Sequence, residues 1–534
     1  MPEKNTSQLS NTAKTSGAKS IIALMREPTA ADKALVEKAY AFAATAHEGH
    51  KRLSGEPYLT HLVATAEDLA RLGMGAKTIA AGLLHDCVED MGIGLDTIEK
   101  EFGKEIAFLV DGVTKLGKLK YHGTTRHVES LRKLLVATSQ DVRVLIIKLM
   151  DRLHNMRTLK YVRPEKRQRI ALETLEIHAA IAHRLGMGVV RRELEDLAFE
   201  YAYPKEFAET KKLVTEREKE TQKRLDDMTR KLKRGLAEAG ITHFEIDSRV
   251  KGLYSLWQKL KRKGGEVENV HDIAALRVVV DSIADCYHTL GIVHGLWQPI
   301  PNRIKDYIRV PKPNGYQSLH TTVFSGDGGI VEIQIRTSQM HDEALFGVAS
   351  HVSYKEKTPA RDENATAEPG KQSSFDWVRS LLPRIARKNT ASKVGTLSKK
   401  ILTPRKPNYH AQKGEPEWLA ELTEHTEDPD FETVIKTDIF SHRIFVFTPK
   451  GDTIDLPQGS TPIDLAYAVH SDIGDHAFGA KVNGKMVPLS SELENGDIVE
   501  IETKKSAHPT AKWLNFVKTT MARRHIRTTL EKKK

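Results

Sequence analysis

The hydrophobic period of this chain changes once, near Gly240, and that change constrains its fold more than any other feature. From about Pro28 to about Tyr203, apolar residues recur at three- and four-residue spacing, as in KTIAAGLLHDCVED, VRVLIIKLMDRLHNM and LEIHAAIAHRLGM, the spacing of packed helices. A charged helix is expected from Lys211 to Leu236. Past Gly240 the text turns to β-branched runs, ALRVVV and GIVEIQIRT, set among helical and Gly/Pro-rich pieces. The reading is therefore an all-helical domain followed by a mixed α/β domain. From Ile439 to Glu502 the short strands HRIFVFT, GDTIDLP, FGAKVNG and GDIVEIET surround PIDLAYAVHSDIG, read as one helix, which predicts a small β-grasp-like module.

At 534 residues the chain is longer than a single core sustains, so about three domains are expected. The boundaries follow the text: a polar, disordered leader over 1–27, domains over 28–203 and 204–356, a Pro/Ser/Lys-rich linker over 357–436, the small module over 437–503 and a basic helical tail over 504–534. No apolar run approaches the roughly 18 residues a membrane span needs, and the leader has no apolar core, so a cytoplasmic protein is expected. Cys87 and Cys286 are the only cysteines, too few for a disulfide framework or a CxxC zinc site. Much of the net charge of +11 sits in the tail, where ten Lys/Arg against one Glu give Lys504 to Lys534 a charge of +9. Such a tail suits RNA phosphates or simply a solvated surface helix.

Two constellations carry chemistry. In HDCVED, His85 and Glu89, and Asp86 and Asp90, stand four apart on one helix. Asp151 follows an apolar run on a second helix with Asn155 one turn on, and His61 opens a third. Any one of these reads as a surface charge or a satisfied core histidine. Together, His61, His85, Asp86 and Asp151 form a nitrogen and oxygen donor set for a divalent ion such as Mn, Fe or Zn, because carboxylates in apolar helices are costly unless paired or metal-bound. Such an ion would activate a water, with Glu89 and Asp90 placed to orient it or move protons, which is the chemistry of phosphate ester or pyrophosphate hydrolysis.

In the second constellation, Lys251, Ser255 and Lys259 fall on one helical stripe behind Arg249, able to hold a triphosphate. Asp272 precedes the strand run IAALRVVV, and Glu332, Gln334 and Arg336 alternate with Val331, Ile333 and Ile335, so one strand face is polar. Asp272 and Glu332 on neighbouring strands suit Mg²⁺. Arg303, Lys305, Lys312 and His320 are candidate phosphate partners, and Tyr316 on a Gly turn offers a plane for base stacking. The blander readings are a solvated basic helix and a packed turn tyrosine.

KRLSGEPYLTH, HDCVED and DRLHNMRT resemble the histidine-aspartate hydrolase domain of the RelA/SpoT homologue family of long alarmone enzymes. PKPNGYQSLHTTV and VEIQIRTSQMH resemble the same family's synthetase domain, and IFVFTPKGDTIDLPQGSTPIDLAYAVHSDIG resembles its TGS domain. The resemblance covers about Ala31 to about Lys518 and stops before the helical, zinc-finger-like and ACT regions of long members. It implies one site hydrolysing guanosine tetra- and pentaphosphate with manganese at His61, His85, Asp86 and Asp151, where Arg52 contacts the nucleotide and Asn155 lines the pocket. It implies a second site moving pyrophosphate from ATP to the 3′-hydroxyl of GDP or GTP, with Asp272 and Glu332 as catalytic groups or Mg²⁺ ligands. Nucleotide contacts would come from Arg249, Lys251, Ser255, Lys259, Arg277, Arg303, Lys305, Lys312, Asn314, Tyr316, His320 and Gln334. Arg303, Lys305 and Asp306 match the signature of bifunctional members, and His470 matches the TGS position that touches the tRNA acceptor end. ASHVSYKEK departs from the family, which usually has Trp after that His. A member with one silent site, or a non-enzymatic tRNA or ribosome adaptor, remains the alternative.

Overall fold

The computed structural model of the chain describes residues 17–117, 141–250, 252–262, 274–301, 303–312, 314–350, 352, 443–494 and 496–531. Lys251, Asp272, the side chain of Arg249 and the expected linker over 357–436 lie outside the described residues. The chain divides into two compact units, with the described residues up to 352 in the first and those from 443 in the second. Among the described residues, no helix is long and apolar enough to cross a membrane.

Residues 17–24 are already helical with Ala18 and Ile21 buried, which corrects the expectation of a disordered leader reaching residue 27. In GAKSIIAL, Ala18 and Ile21 stand three apart and give this stretch one face to bury. There follow α1 (Ala30–Ala46), α2 (Leu59–Arg71), α3 (Ala76–Glu89), α4 (Leu95–Phe102), α5 (Lys104–Gly117), α6 (Val142–Arg157) and α7 (Pro164–Glu173). A five-residue π turn (Thr174–His178) leads into α8 (Ala179–Arg184) and α9 (Gly188–Ala202). Thr29 and Asp32 cap α1 reciprocally, side chain to backbone in both directions.

Helix α3 is the centre of this domain. Ala76, Thr78, every residue from Ile79 to His85, and Cys87 are buried, as expected of a helix apolar all round, and α1, α2 and α5 pack against it. Gly82 permits that closeness: a Cβ there would stand 2.4 Å from Leu69 Cδ1 of α2. The metal-type residues thus sit at the end of a core helix, not on its surface.

The charged helix begins earlier than its composition implied. α10 runs Pro204–Glu238, with Pro204 in the first turn where its missing N–H is harmless. It lays Leu225, Met228, Leu232 and Leu236 against a sheet of order β1-β2-β5-β4-β3, formed by β1 (Phe244–Val250), β2 (Ala274–Val280), β3 (Lys305–Asp306), β4 (Leu319–Phe324) and β5 (Ile330–Thr337). β2 and β5 are parallel and the other pairs antiparallel. α11 (Leu253–Arg262) follows β1, α12 (Ile283–Leu296) follows β2, and α13 (Ser338–Phe346) follows β5. Leu276, Val278, Leu319, Val323, Val331, Ile333 and Ile335 bury one sheet face with Cys286 and Val293 of α12. Strand alternation sends Arg277, His320, Glu332 and Gln334 to the other face.

The second unit holds a hairpin of β6 (Arg443–Phe447) and β7 (Thr453–Pro457), helices α14 (Pro462–Val469) and α15 (Ser471–Asp475), and a sheet of β8 (Ala477–Val482), β9 (Lys485–Val487) and β10 (Val499–Thr503) in the order β10-β8-β9. PIDLAYAVHSDIG is therefore two helices, not one. His470 between them is extended, at φ −163° and ψ 142°, and its Nδ1 accepts the Asp472 N–H to cap α15. The basic tail also differs from expectation. It forms a 3₁₀ turn (Ala511–Asn515) and α16 (Thr520–Glu531), and buries Trp513, Val517, Ala522 and Ile526 against Ile463, Ala466 and Tyr467. It belongs to the fold of the module rather than standing off it as a basic arm.

Candidate functional site

α2, α3 and α6 bring His61, His85, Asp86 and Asp151 together. His61 Nε2 lies 3.5 Å from Asp86 and 3.4 Å from Asp151, and His85 Nε2 lies 3.1 Å from Asp86 and 4.0 Å from Asp151. Both imidazoles are about 1% exposed and Asp151 5%. Burial of this order makes the bland surface-charge reading untenable, because four such groups persist inside an apolar core only if something compensates them.

The hydrogen bonds fix which nitrogen faces inward. His85 Nδ1 donates to the Gly82 carbonyl at 2.8 Å, which leaves Nε2 turned toward the Asp86 carboxylate. His61 Nδ1 stands 2.8 Å from His154 Nδ1, which also receives Arg52 Nη1 at 3.3 Å. Burial, His61 and Arg52 hold His154 down at about 3, so it is a neutral acceptor and His61 is the donor. Burial also lowers His61, keeping it neutral with a lone pair on Nε2. Nε2 of both imidazoles thus faces the Asp86 and Asp151 carboxylates; His61, His85 and Asp86 lie close enough together to hold one divalent cation, with Asp151 beside them. Burial pushes His85 down, yet the adjacent Asp86 carboxylate more than offsets this and holds His85 up at about 9. Carboxylates that draw a proton onto a buried imidazole draw a cation by the same field.

The surrounding residues brace the carboxylates. Lys148 donates to Asp151 Oδ2 at 2.7 Å, and Asn155 Nδ2 donates to Oδ1 at 2.6 Å while its own Oδ1 accepts Arg52 Nη2 at 2.7 Å. Arg52 and Asn155, both expected to meet the nucleotide, therefore touch each other. The Tyr58 hydroxyl lies 2.9 Å from Asp86 and 2.6 Å from Asp90. Glu89 ends α3 and Asp90 follows it, both exposed as whole residues, though partial desolvation of the Glu89 carboxyl raises it above the ordinary range. Sequence reasoning missed Tyr58, Lys148 and His154. The last two were legible as Asp151 minus and plus three on α6.

On the polar face of the sheet, His320 joins two other candidates. Tyr316 Oη is 2.8 Å from His320 Nε2, and His320 Nδ1 is 2.7 Å from Glu332 Oε1. Burial lowers the imidazole, so it is neutral: Tyr316 donates to Nε2, and Nδ1–H donates to the carboxylate. Register sets Gln334 opposite both His320 and Arg277, and Lys305 opposite His320. Lys312 Nζ lies over the rings of Tyr307 and Tyr316, 4.6 and 4.9 Å from their centroids, and burial with nearby Lys305 lowers it to about 8.

Other candidates are engaged elsewhere. Arg277 donates to Asp247 across β1 and β2. Ser255 donates to Glu195 of α9 at 3.2 Å, and Asn314 donates to the His183 carbonyl at 3.3 Å, so both are tied to the helical domain. Lys259 is half-buried on α11 and Arg303 is exposed. Asp306 accepts from Tyr287 and from the N–H groups of Ile308 and Arg309, which fixes the turn after Lys305.

Three family models match in tandem: an HD domain at 39–188, a region found in RelA/SpoT proteins at 248–359 and a TGS domain at 444–503. Over 502 residues the chain is 43% identical to a guanosine-3′,5′-bis(diphosphate) 3′-pyrophosphohydrolase of Aquifex aeolicus, covering 93% of this chain and 64% of that one. It is 44% identical over 505 residues to a GTP pyrophosphokinase of Streptomyces coelicolor, covering 93% and 56%. It is 41% identical over 499 residues to the bifunctional (p)ppGpp synthase/hydrolase SpoT of Escherichia coli, covering 93% and 64%. The chain thus spans 56% to 64% of the length of these relatives. With its three domains in this order and this identity along nearly all its length, the chain belongs to the RelA/SpoT family.

Proposed function

We propose that the chain both makes and destroys guanosine tetra- and pentaphosphate, at the sheet site and the helical site respectively. The observation that carries the proposal is the convergence of His61 and His85 Nε2 on Asp86 and Asp151, beside a separate Tyr316–His320–Glu332 chain. Relatives are named for each activity and for both.

At the helical site, manganese is the proposed ion; bound by His61, His85, Asp86 and Asp151, it would supply an activated water and polarise the phosphoryl oxygen. Arg52 and Asn155 orient the nucleotide at the pocket edge. Glu89, with its raised carboxyl, passes the proton of the attacking water toward the leaving 3′-oxygen, and Asp90 with Tyr58 fixes that turn of α3.

At the sheet site, Glu332 accepts the proton of the GDP or GTP 3′-hydroxyl. The oxygen bonds to the β-phosphorus of ATP, the bond from that phosphorus to the α,β-bridging oxygen breaks, and AMP leaves. His320 orients the Glu332 carboxylate through its Nδ1–H. Arg249, Lys251, Lys259, Lys305 and Lys312 offset phosphate charge, and Tyr316 offers its ring to the guanine. Mg²⁺ is the proposed ion here, with Glu332 and Asp272 as its carboxylates. For the second unit we propose tRNA or ribosome contact at the exposed His470.

Incubation with Mg²⁺, ATP and GDP, and separately with Mn²⁺ and guanosine tetraphosphate, tests the reading by anion-exchange chromatography. AMP with tetraphosphate in one tube and GDP with pyrophosphate in the other are expected. One silent tube reduces the protein to a single activity, and two silent tubes leave the adaptor.

A further inference from the structure

We propose that Asp196, in the last helix of the helical domain, is a positioning residue for pyrophosphate transfer at the sheet site; this rests on the synthetase reading above. α11 carries Lys259 and begins where no residue of its own can cap it, since Gly252 precedes its first residue and has no side chain. The missing acceptor comes from α9, 58 residues earlier in sequence: the Asp196 carboxylate accepts the Tyr254 N–H at 3.1 Å and also draws on that of Leu253.

Gly252 makes the approach possible. A Cβ there would stand 2.9 and 3.0 Å from the two carboxylate oxygens and 3.3 Å from Arg192 Cγ. The same face of α9 holds α11 in two further ways. Glu195 accepts the Ser255 hydroxyl, and Phe199 packs on Tyr254 and Trp257 with centroids 5.5 and 5.2 Å apart. An anionic carboxylate also complements the positive end of the α11 dipole. Tilt and axial position of α11, and so of Lys259, are therefore set from the helical domain.

The test uses the full chain with Asp196→Ala and Asp196→Asn, following amide hydrogen exchange over residues 253–256, ATP kinetics and hydrolysis. Loss of a helix cap is expected to speed exchange at Leu253 and Tyr254 roughly tenfold in the alanine variant. The KM for ATP should rise with kcat little changed, hydrolysis should stay at the wild-type rate, and asparagine, whose amide oxygen still accepts, should restore both readouts. Unchanged exchange and KM in the alanine variant would overturn the proposal. So would an asparagine variant as impaired as alanine, or hydrolysis falling in step with synthesis, which is loss of the whole fold. A wild-type chain that turns over no ATP sinks the synthetase reading by itself; exchange, which needs no turnover, still decides whether Asp196 caps α11.

Discussion

In the helical site Asp151 is braced by Lys148 and Asn155 from its own helix, one turn to either side; in the sheet site His320 is braced by Glu332 from the next strand and by Tyr316 from the preceding loop. The first arrangement is buried and short-range, so its geometry follows from the helix repeat and from the packing of α3. The second is half-buried and joins a loop to two strands, and the candidate partners Ser255 and Asn314 are tied to the neighbouring domain. The geometry of the first is set within one helix, whereas that of the second depends on a loop and two strands together.

The sharpest way to break this contrast is to remove a key carboxylate from each. Asp151→Ala should lower hydrolysis by roughly 10³-fold or more and spare synthesis, since the donor set loses an oxygen and Lys148 its partner. Glu332→Gln should lower synthesis by roughly 10²- to 10⁴-fold and spare hydrolysis, the range for a lost proton acceptor. Parallel assays on each purified variant read both, and a joint loss in either would mean the two sites are not separate.

Next in size is a difference in stability. Lys148→Met takes from the buried Asp151 carboxylate its paired cation, leaving only Asn155 and the imidazoles beside it, and should cost about 3 kcal/mol, by the penalty for breaking a buried pair. A divalent cation should recover much of that loss. Lys312→Met removes a cation that its burial disfavours and should be neutral in melting temperature. Equal shifts in the two variants would erase the contrast.

The smallest effect is in pH. Lys312 titrates near 8, lowered chiefly by burial, and phosphate favours its charged form. Nucleotide affinity at the sheet site should therefore be fully present below that pH and fall as pH rises through it, by about tenfold at most for one cation. Titration calorimetry from pH 7 to pH 9 checks this, and Lys312→Arg should flatten the slope.

The same contrast explains what the sequence disclosed. His85, Asp86 and Asp151 were legible because their spacing and apolar flanks are local, and strand alternation put Glu332 and Gln334 on one face. Tyr58 was not, since its hydroxyl meets Asp86 across two helices. The hydrogen bond from Ser255 to Glu195 was not legible either, because its acceptor lies 60 residues away. PIDLAYAVHSDIG reads as one helix, and only the backbone geometry at His470 reveals the break that it caps.

The packing of the tail redraws where the third module ends. Its family model stops at 503, yet the buried Asp464 accepts from the N–H groups of Lys518 and Thr519 and from the Thr519 hydroxyl. A chain cut at the model's edge would take from that carboxylate its tail donors, leaving only Thr461, and open an apolar seam at Ile463, Ala466 and Tyr467 to water. Protease nicking between β10 and α16 should thus act as an unlatching event, turning a folded module into an adhesive fragment without touching any of its strands.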